Sequence, residues 1–227
     1  MDLQTAYNYL NFEVNKVFLT YYSPGEFDLI VDRAQMSLFN DYYDEFGASQ
    51  RLNDALAPFK NSFQFTQSTS PGGLISVPDD YQHQLSVYTI VQNSITGLPQ
   101  NRPVPILNED EKVARDNSQI YPPTTTDPYG MIVKDWNVQL FPAVPQAGVI
   151  YYLSRPPAPK FVYTIVSGRV PLYDPVNSVQ LAWADKDIAS ILVKALSMIG
   201  INSREQDVIQ YAETKSQENL GRSPDKL

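Results

Sequence analysis

The chain has no cysteine and only one histidine in 227 residues. The first absence removes disulfides, thiol catalysis and Cys-zinc sites together. The second removes two-histidine relays and His-rich metal sites, and His83, beside a strand start, reads as a surface hydrogen-bonder. Positive charge is also short. With 17 Lys and Arg against 25 Asp and Glu, the net charge is −8, which argues against wrapping nucleic acid by neutralising its phosphates. It leaves open an acidic wall past which DNA slides. No run approaches the roughly 18 consecutive apolar residues of a membrane span. The N-terminus lacks the basic and apolar segments of a secretory signal, so the expectation is a soluble protein made in a cytosol. Glycine is scarce at 10, and neither a P-loop, a dinucleotide fingerprint nor a nucleophile elbow occurs. Gly72 and Gly73 read as a flexible loop.

Among what is present, 43% hydrophobic and 19% charged residues are globular values, and the length suits one large domain or two small ones. Proline and tyrosine are abundant, at 18 and 15. The chain is organised around Ser23 to Phe46. Ser23-Pro24-Gly25-Glu26 spells a capping box with proline at the first helical position. Behind it Phe27, Val31, Ala34, Leu38 and Tyr42 form one helical stripe. Met36, Phe39, Tyr43 and Phe46 form a second, whose first member lies about 140° round the helix from Val31. Two stripes ask for two partners, one within the chain and one in another copy. The alternative is that both are buried in the monomer, one under helix 3–18 and the other under the C-terminal helices.

The spacing of Leu3, Ala6, Tyr7, Leu10, Val14, Val17 and Phe18 predicts a first helix over 3–18, and a third follows at Ser49–Ala57. From Phe59 the period changes. Strands are expected at Leu74–Val77, Leu85–Val91, Met131–Lys134, Trp136–Phe141 and Val149–Leu153. Residues 101–107 can form only an edge strand because of their prolines, and a short helix follows Asn108. Residues near 162–175 suggest a poorly formed hairpin, and 179–183 either a last strand or the lead into a helix. The chain closes with helices from Asp185 or Asp187 to Gly200 and from Ser203 to about Gln217. The expected class is α+β. The N- and C-terminal helices form one bundle, with an antiparallel β module inserted as a sandwich or small barrel. The expected parts are 1–58 helical, 59–183 β-rich, 184–218 helical and packed on the first part, and 219–227 a polar tail.

The search for chemistry returns negatives. Glu109, Asp110 and Glu111 favour the dipole of the helix they open better than they suit a metal, and Asp79 and Asp80 read as turn formers. No catalytic, metal-binding or cofactor-binding residue is assigned, and the protein is not expected to be an enzyme. The candidate subunit interface is Met36, Phe39, Tyr43 and Phe46. The candidate neighbour-docking loops are Tyr121, Pro122 and Pro123, and Arg155, Pro156 and Pro157.

The residues Ser23-Pro24-Gly25-Glu26-Phe27, Ala34-Gln35 and Leu38-Phe39-Asn40-Asp41-Tyr42-Tyr43 resemble small structural proteins of crAss-like bacteriophages. So do Leu74-Ile75-Ser76-Val77-Pro78-Asp79-Asp80-Tyr81, the run Val149 to Pro159, and the closing helices with Gly200-Ile201 between them and Gln210-Tyr211 in the second. The resemblance covers most of the chain through short motifs of low specificity. It implies a head–tail connector or adaptor: a neck or tail ring protein of the virion, assembled in the host cytoplasm. Such copies sit side by side, twelve by analogy with portal-bound rings. The implied partners are the portal or other neck and tail proteins, with genome DNA passing through the channel without specific binding and no membrane. The alternative is a monomeric glycan- or peptide-binding module with an aromatic groove on its β part. A carboxylate hydrolase or lyase also stays open, and both rank well below the virion protein.

Overall fold

The computed structural model describes residues 1–47, 49–92, 97–166 and 170–200. The chain is α+β and divides into two compact units, one of Met1–Pro58 with the residues from Pro156 onward, the other of Phe59–Arg155.

Among the described residues the helical unit holds four α-helices. In α1 (Leu3–Phe18) the Asp2 carboxylate caps by accepting from the Thr5 amide at 2.8 Å, and Leu3, Ala6, Leu10 and Val14 turn into the core. α2 (Pro24–Asp44) opens with the expected capping box. Glu26 accepts from the Ser23 amide at 2.8 Å, and the Ser23 hydroxyl accepts from the Glu26 amide at 3.4 Å. Its buried face is Phe27, Val31, Ala34, Gln35, Leu38 and Phe39. A short α3 (Gln50–Ala55) precedes the sheet unit. The last described helix, numbered α5 after one in the sheet unit, runs Asp185–Ile199 and buries Ile188, Ile191, Leu192 and Ala195; it ends on Gly200 at φ 87°, where a left-handed residue stops a helix at no steric cost. Lys194 pairs with Asp41 at 2.6 Å and Tyr42 donates to Asp187 at 3.0 Å, so α5 runs antiparallel to α2. The N- and C-terminal helices thus form one bundle. The expected helix over 203–217, with its capping box, and the tail 219–227 lie outside the described residues.

The sheet unit was expected to run to 183 and stops at Arg155. The physical reason is a set of ties from the following segment to the helices. Pro157 O accepts from Gln35 Nε2 at 3.0 Å, and the Phe161 amide donates to both Asp28 oxygens at 2.9 and 3.1 Å. Gln180 Oε1 accepts from the Leu3 amide at 2.9 Å, and Trp183 Nε1 donates to Gln35 Oε1 at 3.3 Å. Residues 179–183 form neither strand nor helix; Val179 makes one bridge to Lys160.

Inside the sheet unit, β1 (Lys60–Phe65), β7 (Gly148–Ser154), β3 (Tyr81–Gln92) and β4 (Pro99–Val104) form one antiparallel sheet in that order. A second has the order β2 (Leu74–Ile75), β6 (Val138–Phe141), β5 (Tyr129–Ile132). Phe65, Ile75, Val87, Val104, Val138, Leu140, Ile150 and Tyr152 from both sheets meet in one core, a small sandwich. The Pro-bearing β4 is an edge strand, as its missing donors require. The strand expected from Trp136 begins only at Val138. Asp135 and Trp136 stand at φ 60° and 62° and turn the chain out of line, leaving the indole exposed.

Helix α4 (Glu109–Asp116) is boxed by Asn108 and Glu111, with Asn108 Oδ1 accepting from the Glu111 amide at 2.9 Å. Tyr129 of β5 donates to Asp116 at 2.5 Å and Arg115 reaches Asp127, just before β5, at 2.6 Å, while Lys112 and Asp116 pair within the helix at 2.6 Å. Burial and the Asp116 carboxylate push the Tyr129 hydroxyl well above the usual phenol range.

Acid should loosen the caps. Side-chain bonds hold Glu26 (to Ser23) and Asp2 (to Thr5) below the ordinary carboxylate value. A depressed folded-state pKa gives stability that is full above the unfolded value near 4 and is lost as pH falls through the folded value. Asp28, raised by desolvation, acts in the opposite sense and gains as pH falls. Two caps against one buried acid predict a lower melting temperature at pH 3 than at pH 6. Ser23→Ala should cost about 1 kcal/mol of helical-unit stability at neutral pH and less at pH 3, measured by thermal melting.

Candidate functional site

Sequence reasoning placed the assembly surface on α2, and the structure divides that set. Phe39 lies only about 80° round the helix from Val31 and is fully buried, its ring edge-on to Trp183 at 6.5 Å. Met36, Tyr43 and Phe46 are half-buried, and Tyr43 and Phe46 stack with centroids 6.3 Å apart. The four therefore do not form one exposed stripe, because the first stripe's core reaches round to take Phe39. The docking set divides as well. Tyr121, Pro122 and Arg155 are exposed, Pro123 is half-buried, and Pro156 is buried; Pro157 is exposed, but its carbonyl is held by Gln35. The proline run of 155–157 is in part a tie to α2, not a free loop.

Gln35 is the centre of that tie. Fully buried, it donates to Asp32 and Pro157 and accepts from Trp183. Gln35→Leu would leave the indole N–H and the Pro157 carbonyl without it, and about 2 kcal/mol should be lost in denaturant unfolding.

The exposed apolar surface lies elsewhere. Phe12 stands about 160° round α1 from buried Leu10 and is 64% exposed; Leu19, one heptad on, is 86% exposed and Tyr21 68%. Leu19 caps α1 in the left-handed region at φ 54° and donates its amide to Asn15 O at 3.0 Å. That conformation costs a β-carbon-bearing residue about 1 kcal/mol. A second apolar surface is the hairpin β8 (Tyr163–Val166) and β9 (Val170–Tyr173), where Ile165 is 63% and Leu172 59% exposed. Between α1 and this hairpin is a cleft of about 290 Å³ walled by Tyr7, Phe161, Tyr163 and Tyr173 with Gln4, Asn8 and Pro24. Tyr7 and Phe161 lie 4.6 Å apart, Phe161 and Tyr173 4.7 Å. The Tyr7 hydroxyl donates to Tyr22 O at 2.9 Å, and desolvation raises its pKa.

No family model and no curated protein matches the chain.

Among the described residues no cluster of three or more His, Asp or Glu side chains could hold a metal, and no helix is long and apolar enough to cross a membrane. Glu111 serves the α4 cap, and Asp80 takes the Tyr152 hydroxyl at 3.0 Å, raising that phenol to about 12 by burial first and by the carboxylate second. Two of the five acids read as dipole or turn residues, Glu111 and Asp80, thus hold structural bonds. The signal missed in the sequence was on α1: Tyr9 and Phe12 interrupt its polar side, but the stripe they begin is completed by Leu19 and Tyr21, beyond the helix end.

Proposed function

We propose that this protein is a structural component of a tailed-phage virion. Copies form a ring in the portal–neck–tail region, joining head to tail around the DNA channel. The observation that carries the reading is the pair of unlike exposed apolar surfaces on the helical unit, Phe12–Leu19–Tyr21 and the Ile165–Leu172 hairpin. A head-to-tail contact needs two different patches on each chain, and repeated round an axis it closes a ring. Exposed large apolar residues grouped on one surface mark interaction sites. The net charge of −8 suits a channel wall that does not trap passing phosphates. The resemblance to crAss-like phage structural proteins points the same way and supplies twelve copies by analogy, with the portal or other neck and tail proteins as neighbours. The reading assigns no catalytic residue and no cofactor.

Phe12→Asp tests it. The side chain is exposed, so the helical unit should keep its melting temperature to within a few degrees, while the assembled fraction seen by light scattering should collapse. A Phe12→Asp chain that assembles like the unaltered one contradicts the use of this surface.

The second reading, a monomeric binding module, rests on the aromatic cleft. It lies in the helical unit, not on the β part where a sequence-based groove was sought. Saturable binding of an oligosaccharide or proline-rich peptide to a strictly monomeric chain would favour it.

A further inference from the structure

We propose that the cleft between α1 and the β8–β9 hairpin is a binding site for a proline-rich peptide segment in the extended polyproline conformation. The inference deepens the second reading, whose cleft it shares, but it concerns a single chain and holds whether or not copies close a ring.

The apolar wall comes first. All the residues around the cleft belong to the helical unit. Tyr7, Phe161 and Tyr173 stand in a row, with centroid steps of 4.6 and 4.7 Å and successive planes tilted by 35° and 39°. Tyr163 pairs with Tyr173 in the hairpin ladder and is 41% exposed. Residues directly opposite in an antiparallel ladder share a face, so Tyr163 adds a fourth ring on the same side. Rows of aromatic rings are the surfaces on which pyrrolidine rings pack. A polyproline turn rises about 9 Å, and the row of three centroids is of that order.

The polar groups decide the class of ligand. The Tyr7 hydroxyl is spent on Tyr22 O. The Tyr173 hydroxyl accepts from Gln180 Nε2 at 2.6 Å, which leaves its proton to donate. Among the described residues the side-chain amides of Gln4 and Asn8 and the Tyr163 hydroxyl hold no hydrogen bond. Gln4 and Asn8 follow one another on the same face of α1, about 6 Å apart along its axis. The cleft is therefore an aromatic row edged with N–H and O–H donors, and none of its lining side chains is charged.

A proline segment is the complement of that surface. It offers carbonyl acceptors and no amide N–H, carries no charge, and is already extended, so little ordering entropy is lost on binding. A sugar's hydroxyls donate as well as accept, and the cleft has no carboxylate to receive them. At about 290 Å³ the cleft is at the small end of ligand sites, which suits a short segment.

The test titrates the full-length protein with an acetylated, amidated decaproline peptide and follows the heat of binding. The expected result is saturation with a Kd below about 1 mM. Tyr163→Ala should keep the melting temperature, because the ring is exposed, and weaken binding about tenfold. Tyr163→Phe keeps the ring and loses only the donor, so its binding should fall between the two. No saturation at millimolar peptide, or binding that Tyr163→Ala leaves unchanged, overturns the site. Chitohexaose in the same titration should not bind. If it displaces decaproline, or binds where decaproline does not, the site is a glycan's and the proposal falls. Light scattering reads assembly separately, so either failure leaves the ring reading to stand on its own evidence.

Discussion

Gly148→Ala is expected to destabilise the sheet unit by about 3 kcal/mol. Gly148 sits in β7 between two ladders, opposite Phe65 on β1 and Thr89 on β3. A β-carbon there would fall inside the van der Waals shell of the Tyr88 carbonyl oxygen, 2.6 Å from Phe65 Cζ and 3.0 Å from Thr89 Cα. Carbon contacts find their optimum near 3.5–4.0 Å. The Phe65 ring can turn, but the β3 backbone can withdraw only by breaking ladder bonds in the middle of the four-stranded sheet. Amide exchange in β3 and β7 should quicken and the urea midpoint should fall. Gly25, on α2 with open space around its missing β-carbon, is the control: Gly25→Ala should leave stability unchanged or raise it by up to about 1 kcal/mol. A Gly148→Ala chain with the unaltered midpoint would mean that β3 and β7 do not approach so closely.

Phe39→Ala is expected to cost the helical unit about 4 kcal/mol, the range for a fully buried aromatic truncated to a methyl group. Its neighbours are held in place: Trp183 by its bond to Gln35, Tyr42 by its bond to Asp187. The space left behind cannot readily collapse. Met36→Ala, at a half-buried position, should cost a fraction of that. Denaturant unfolding followed by tryptophan fluorescence reads both. If Phe39→Ala kept its stability and lost only self-association, Phe39 would belong to a subunit surface, as its place in the second stripe of α2 suggested.

That contrast shows where sequence and structure part. The cap of α2 was legible because Ser23, Pro24 and Glu26 act within four residues, and local hydrogen bonds need nothing from the rest of the chain. The Pro-bearing edge strand was legible because a missing N–H excludes central positions anywhere. Phe39 was misassigned because a stripe drawn at regular spacing has no width, whereas a helix packed against both α5 and the 156–183 segment buries a broad face. The end of the sheet unit at Arg155 depends on Asp28 and Gln35 reaching residues more than 100 positions away, and no local pattern carries that. Trp136 alternates correctly with Val138 and Leu140 and still leaves the strand, since two positive φ angles precede Asn137. β1 was passed over because only Phe63 and Phe65 are apolar in a strand that is otherwise polar and exposed. The α1 surface was hidden by its own composition: Glu13 and Lys16 sit within it, and Leu19 and Tyr21 fall past the helix end. Fold class came through intact because it depends on where the hydrophobic period changes, near Phe59 and again near Asp185, and not on any one side chain.

The measurement that bears most directly on the central claim is the mass of the purified protein in solution, by light scattering or native mass spectrometry, alone and with a candidate portal. The account predicts a closed oligomer, formed either spontaneously or on the portal, and its loss in Phe12→Asp. A strict monomer in both conditions, with no binding to the portal, would contradict it.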